Sequence, residues 1–218
     1  MEKDPNLKRM AIGDIHGKKN WKDYLKEDFT EFYFVGDYFD NYEETPAVSQ
    51  IRNFLAIVKE ARRDPRIRLC CGNHDYQYLR GLDRSEKYSG FQNYAYMDIQ
   101  IALESSMDII KPVYVTEDNI IISHAGVTKT FLRDCSLENP EDINNRFIEY
   151  RMSLAFNGFN PYGDDPRNGP LWVRPDSLIK DKLEGYKQIV GHTKMEKITT
   201  IEGITFIDLD TCQEVYWF

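Results

Sequence analysis

The sequence is poor in the residues that make cross-links and membrane spans. Its 218 residues include four cysteines, Cys70, Cys71, Cys135 and Cys212, with no paired C-x-x-C spacing. That argues against a zinc ribbon or a disulfide scaffold and suits a reducing compartment, so a cytoplasmic location is expected. No apolar run reaches 18 residues, so no membrane-spanning helix is expected. The opening MEKDPNLKRM has neither an apolar core nor a cleavage-like site, so no signal peptide is expected. Positive charge is short as well: 28 lysines and arginines stand against 36 acids, a net charge of −8. An acidic chain repels phosphate backbones and anionic lipid, so neither dedicated nucleic-acid binding nor a membrane partner is expected. Repeats, low-complexity tracts and an interdomain linker are lacking, and the length suits one domain over residues 1–218.

What is present is a repeated pattern of short apolar runs, each ending in a glycine or serine turn. Arg9–Ile12 leads into Gly13-Asp14, Phe32–Val35 into Gly36-Asp37, and Ile67–Cys71 into Gly72-Asn73. The stretches between them, Lys18–Asp28 and Pro46–Arg63, are long enough for crossover helices. In the second, Val48, Ile51, Phe54, Leu55 and Val58 recur at helical spacing, and Thr45-Pro46 is a suitable helix start. This β-α-β-α-β order predicts parallel strands joined by right-handed crossovers. Further on, a helix is expected over Phe91–Met107, and strands over Val113–Thr116 and Asn119–Ser123. Helices are expected near Thr128–Asp134 and Pro140–Phe156. A loop over Asn157–Asp176 carries four of the nine prolines and three glycines. Four strands are expected in Gln188–Phe218: Gln188–Val190, Ile198–Ile201, Ile204–Leu209 and Glu214–Phe218. A parallel β/α half followed by an antiparallel half suggests two sheets packed face to face with helices outside.

The chemistry-bearing residues collect where the strands stop. Asp14-Ile15-His16-Gly17, Gly36-Asp37-Tyr38-Phe39-Asp40, Gly72-Asn73-His74-Asp75, Ser123-His124-Ala125-Gly126 and Gly191-His192-Thr193 each follow an expected strand. Singly, each is an ordinary turn with a capping acid or a core histidine. Jointly, they contain all four histidines of the chain, every one beside a small residue and interleaved with acids or an amide. In open α/β sheets, ligands bind beyond the carboxyl ends of strands. Asp14 and His16 are two apart, so on an extended segment they would face the same way. A mixed set of carboxylate, amide and imidazole suits manganese, iron, zinc or nickel better than calcium or magnesium. Three imidazoles and two carboxylates exceed one tetrahedral site but fit two ions with one shared carboxylate.

These five motifs, in this order from Asp14 to His192, resemble those of the calcineurin-like metallophosphoesterase superfamily. The nearest branch in pattern is the phosphoprotein phosphatases with the diadenosine tetraphosphate hydrolases. The resemblance implies a four-layer α/β/β/α sandwich with two mixed central sheets and two divalent metal ions, manganese first, with iron, zinc or nickel as alternatives. It implies that Asp14 and His16 hold one ion, that Asp37 bridges, and that Asn73, His124 and His192 hold the other. His74 would be the general acid, oriented by Asp40. Leu171-Trp172-Val173-Arg174 is similar to the family's late-loop stretch, which makes Arg174 the candidate phosphate clamp. The expected activity is hydrolysis of a phosphomonoester, phosphoserine or phosphothreonine in proteins included, by metal-activated water. The expected partner is therefore a phosphorylated substrate: a phosphoprotein, a nucleotide or a small phosphoester. Dinucleoside polyphosphate hydrolysis is the alternative. A scaffold without activity would be expected to have lost ligands, and all six ligand candidates and His74 are present.

Two positions depart from the protein-phosphatase pattern. Asn41-Tyr42 stands where that branch carries Arg-Gly, and Asn-His-Asp stands where it carries Asn-His-Glu. Four other features have plainer readings. Cys70 and Cys71 are expected as buried strand thiols rather than a redox switch. Arg62, Arg63, Arg66 and Arg68 are expected as a solvated helix end and loop. Tyr88, Phe91, Tyr94 and Tyr96 are expected in helix packing rather than stacked on a nucleobase. Asp164-Asp165 is expected as a solvated turn.

Overall fold

A computed structural model describes residues 7–41, 46–79, 90–149, 164–209 and 214–218, with side chains except at 148 and 149. The first three apolar runs form β1 (Arg9–Ile12), β2 (Glu31–Phe34) and β3 (Ile67–Cys70). They pair in parallel, with Met10 opposite Phe32 and Phe32 opposite Ile67. Between β1 and β2 lies only a single turn, α1 (Trp21–Tyr24), shorter than the expected helix. Of its four residues only Trp21 is buried, too narrow a stripe to dock a longer helix. The second crossover is α2 (Ala47–Arg63), which buries Phe54, Ile57, Val58 and Ala61. A helix not foreseen as such, α3 (Asn73–Leu79), begins on the third motif. The next, α4 (Tyr96–Glu104), follows a single 3-10 turn at Asn93–Ala95, and β4 (Ile110–Lys111) joins β3 in parallel.

The second sheet starts with the antiparallel pair β5 (Val113–Val115) and β6 (Ile120–Ser123). Among the described residues four short helices follow: α5 (Lys129–Asp134), α6 (Asp142–Glu149), α7 (Gly169–Trp172) and α8 (Pro175–Lys180). Then come β7 (Lys187–Val190), β8 (Thr199–Ile201), β9 (Ile204–Phe206) and β10 (Val215–Trp217). The sheet orders are β10-β1-β2-β3-β4 and β5-β6-β7-β9-β8. Two expectations are corrected. The second sheet is mixed rather than antiparallel, because β6, β7 and β9 run parallel and only the edge strands β5 and β8 oppose them. The helices between β6 and β7 carry the chain back for a parallel return. Further, β10 leaves the second half and pairs antiparallel with β1, Ala11 opposite Tyr216. The segment expected as loop up to Asp176 contains α7 and the start of α8 in its described part.

Strand alternation sorts the layers. Ala11, Tyr33, Val35 and Cys70 on one face of the first sheet pack against Tyr114, Ile120, Ile122 and Ile189 of the second. Met10, Ile12, Phe32, Phe34 and Leu69 point the other way, into a core shared with Phe54, Ile57 and Ile99 of α2 and α4. On the outer face of the second sheet, Val190, Ile204 and Phe206 pack on Leu178 of α8. The result is a four-layer α/β/β/α sandwich. Among the described residues no helix is long and apolar enough to cross a membrane. Residues 150–156 of an expected helix, 157–163 of the expected loop, Tyr42, Thr45, Tyr88, Cys212 and the first six residues lie outside the described residues.

Candidate metal centre

The turns after β1 and β2 are hydrogen-bonded to each other: Ile15, His16 and Gly17 N–H donate to the carbonyls of Gly36, Asp37 and Tyr38 at 3.3, 2.6 and 3.1 Å. The Asp14–His16 segment is therefore a turn and not the extended run assumed from its spacing. His16 has a positive φ of 40°, and the turn, not strand alternation, brings the two side chains together. Of the seven non-glycine residues with positive φ among the described residues, four belong to these motifs: His16, Asp37, Asp40 and His192. Backbone in this region is strained for side-chain-bearing residues and persists where surroundings enforce it. Close approach also explains two glycines. A Cβ on Gly72 would fall on the Asp37 carboxylate, and one on Gly191 on that of Asp14.

All six ligand candidates converge and are buried. Asp14, His16 and Asp37 each bring a ligand atom within 4.8 Å of the others, with His16 Nε2 3.9 Å from Asp14 and 3.7 Å from Asp37. Asn73, His124 and His192 form a second group: Asn73 Oδ1 is 2.7 Å from His124 Nε2 and 3.0 Å from His192 Nδ1, and the two nitrogens are 3.2 Å apart. Asp37 stands between the groups, its Oδ2 also 3.5 Å from His124 Nε2. Each imidazole is fixed from behind by a carbonyl: His16 Nδ1 at Phe39 O (2.6 Å), His124 Nδ1 at Val35 O (3.1 Å), and His192 Nε2 at Trp172 O (3.1 Å). A carbonyl only accepts, so the nitrogen facing it carries the proton and the other presents its lone pair inward.

That arrangement fits divalent metal. Burial lowers the imidazoles, His16 to about 3 with help from the neighbouring His74, and His124 and His192 well below their usual range. They are neutral at physiological pH. Burial and then the Asp208 carboxylate push the Asp14 carboxyl well above its usual range, and burial and then Asp14 do the same to Asp37. In the second group three lone-pair atoms therefore face one another at 2.7–3.2 Å with no proton between them. With the amide oxygen turned inward this contact is repulsive, and a cation among the three would relieve it. Backing of metal-bound histidine by a carbonyl is the usual support for such a ligand.

His74 lies beside this cluster on α3, its ring edge-on to His16 at 5.2 Å between centroids. Its Nδ1 is 2.8 Å from Asp40 Oδ2, and its backbone N–H donates to Asp37 Oδ1 at 2.9 Å. Arg174, half-buried, donates to His192 O at 3.1 Å and Thr193 Oγ1 at 3.0 Å, which puts its guanidinium beside the His192 turn. Asn41, at the position of the absent arginine, turns inward: its amide bonds the His16 carbonyl and its N–H donates to Gln50 Oε1 at 3.2 Å.

One residue of the motifs was given no part by the sequence. Asp75, fully buried, accepts from the N–H groups of Asp37 and Tyr38 at 2.8 Å and of Gly72 at 2.9 Å, tying the second turn to the third. Burial raises its carboxyl to about 7 against those three donations. Its signal was there to be used, since an acid opening a helix suits the N-terminal dipole. Most of the plainer features fall as expected, with two corrections: Arg68 lies half-buried within β3 rather than in a solvated loop, and Tyr94 is exposed rather than packed. Cys70 and Cys71 are buried, and burial pushes both thiols up. Arg62, Arg63, Arg66 and Arg68 pair with Asp108, Glu60, Asp64 and Glu31. Phe91 stacks on Tyr78 and Tyr96 is buried, whereas Tyr94 is exposed. Asp165 caps a 3-10 turn and pairs with Arg167.

The sequence signature of the calcineurin-like phosphoesterase family matches residues 7–207, and the chain belongs to that family. The family implies divalent metal and a phosphorylated substrate. Among curated proteins none matches significantly. Among solved structures, a mutant cold-active protein tyrosine phosphatase is similar at 17% identity, over 93% of this chain and 71% of that one, with a TM-score of 0.64. A protein serine/threonine phosphatase from Saccharomyces cerevisiae, with similarity to human phosphatase PP5, is similar at 15% identity, over 94% of this chain and 67% of that one, with a TM-score of 0.57. At these identities the likeness is one of fold.

Proposed function

We propose that this chain is a single-domain phosphoesterase that uses two divalent ions, manganese first, to hydrolyse phosphomonoesters. The observation that carries this reading is the facing set of lone pairs on Asn73, His124 and His192 beside the Asp14–His16–Asp37 group. In the proposal Asp14 and His16 hold one ion, Asn73, His124 and His192 the other, and Asp37 is shared. Bound there, such ions would acidify a water and polarise phosphoryl oxygens. The chain's own groups do the rest. Arg174 binds the non-bridging oxygens as a planar fork. His74, its Nδ1 turned to Asp40, donates a proton from Nε2 to the leaving oxygen, and Asp40 steadies the imidazolium. Asn41 ties the first turn and supplies no charge at the position of the absent arginine.

Within the family we place the chain near the phosphoprotein phosphatases and diadenosine tetraphosphate hydrolases. Phosphoserine and phosphothreonine peptides are the first substrates to try. The residues at 41 and 75 favour a second reading, a dinucleoside polyphosphate or other nucleotide. Activity on para-nitrophenyl phosphate, diadenosine tetraphosphate and a phosphopeptide ranks these substrates. The primary test is turnover and metal content of protein purified with manganese, wild type against Asp14→Asn. Two equivalents of bound metal and metal-dependent turnover lost in the variant are expected; unchanged activity would refute the reading. For His74→Asn, metal content should persist while activity falls most on esters with poor leaving groups.

A further inference from the structure

The buried Asp40 carboxylate is held by more than the imidazole it faces. Oδ2 accepts from His74 Nδ1 at 2.8 Å and from the Gln77 amide; Oδ1 accepts from the Tyr78 hydroxyl and from Gln92 Nε2 at 3.3 Å. His74, Gln77 and Tyr78 share α3, so three of the donors ride on one element. Gln92 comes from another segment and is locked in turn. Its N–H donates to the Tyr78 oxygen at 2.9 Å, and its side chain pairs with that of Gln50 on α2, amide to amide, at 3.2 and 3.4 Å. The Tyr78 ring is stacked on Phe91, 4.7 Å between centroids. A carboxylate offers about four lone-pair positions, and the four donors fill them. With both oxygens pinned, the carboxylate cannot turn without losing contacts, and neither can the ring it orients. Gln77, Tyr78 and Gln92 are also neutral, so they fix Asp40 without cancelling its charge.

We propose that Tyr78, Gln77 and Gln92 are positioning residues for proton donation, holding Asp40 so that His74 Nε2 is aimed at the leaving oxygen. This rests on the reading of His74 as general acid. The test uses the manganese-loaded protein with two probes, para-nitrophenyl phosphate as the good leaving group and phenyl phosphate as the poor one. Tyr78→Phe keeps the stacked ring and removes only the hydroxyl. Its kcat on phenyl phosphate is expected to fall about tenfold, a fraction of what a general acid contributes. On para-nitrophenyl phosphate the fall should stay within about twofold, with KM little changed on both. Gln92→Leu, which acts on the same oxygen, should give the same split and carries the test if Tyr78→Phe does not fold. In a His74→Asn background, Tyr78→Phe should add nothing, because it acts through that ring. A readout without turnover uses metal-free protein: the imidazole N–H proton resonance absent from His74→Asn should broaden or move upfield in Tyr78→Phe. Equal losses on both probes, or a further loss in the His74→Asn background, overturn the positioning role and leave the general acid standing. If His74→Asn itself loses equally on both probes, the general-acid reading falls and the positioning role with it.

Discussion

At the amino ends of β1 and β2, Arg9 is buried between Glu31, at 2.8 Å, and Asp118, while Arg68 reaches the other Glu31 oxygen at 2.7 Å and the Tyr33 hydroxyl bonds Glu31 at 2.9 Å. At the carboxyl ends of the same strands, Asp14 and Asp37 face the neutral imidazoles of His16 and His124. Both ends bury charge. At the first, guanidinium and carboxylate neutralise each other within the chain, and the outcome is a clamp between the first sheet and the β5–β6 turn of the second. At the second, carboxylates and neutral ring nitrogens are gathered around one point, the arrangement that fits a divalent cation. The same strands thus carry a self-neutralised ion cluster at one end and the candidate metal centre at the other.

The largest way to break that contrast is Asp14→Asn. If about 4 kcal/mol of transition-state stabilisation depends on metal held there, turnover of para-nitrophenyl phosphate should fall roughly 10³-fold. Chelator should lower the melting temperature of the wild type, since saturating ligand at about 100 times its Kd adds about 2.7 kcal/mol, and should lower that of Asp14→Asn by less, because only the ion assigned to Asn73, His124 and His192 is left to remove. Next in size is Asp75→Asn, in which an amide cannot accept all three N–H groups. Metal affinity is expected to drop about 10–100-fold, as for other supporting residues, measured by calorimetric titration with manganese. At the opposite end, Glu31→Gln should leave turnover intact and cost about 2 kcal/mol, less than a fully buried pair because Glu31 is partly exposed. That lowers the melting temperature by roughly 4–8 °C for a chain of this size. The smallest effect is in acid. Burial pushes the Asp118 carboxyl up, but hydrogen bonds from Thr116 and Arg9 outweigh it and hold the group below its usual range. A depressed carboxyl stabilises the folded chain above the unfolded value near about 3.9, and that increment is lost as pH falls through the folded value. Melts between pH 3 and 7 should show a slightly steeper acid loss in wild type than in Asp118→Asn.

The convergence of the six candidate residues was legible because its signal is local. A short apolar run, a glycine and a histidine or acid name a strand tip without knowledge of what the strand pairs with. Strand partners were not legible: Val215–Trp217 has the same local pattern whether it joins β9 or β1, and only the long-range packing decides. Nor was the second sheet's parallel core, which depends on where the four helices return the chain. The support of the site was hidden for a different reason. Glutamine is mostly a surface residue, yet Gln50, Gln77 and Gln92 are buried, each satisfied by another polar group. Asp75 looked like one more acid in a turn, and only its three N–H contacts show what it holds.

The left-handed backbone positions divide the molecule for anyone wishing to make it more heat-resistant. Asn119, Ser136 and Glu202 adopt positive φ away from the turns of the candidate metal centre. At Glu202, glycine would relieve strain of about 1 kcal/mol, offset in part by the greater freedom of the unfolded chain. At His16, Asp37, Asp40 and His192 the same exchange would relax the backbone and delete the group that the strain presents. Thermal improvement by this route is open at the surface turns and closed at the strand tips, where activity and ease of backbone pull in opposite directions.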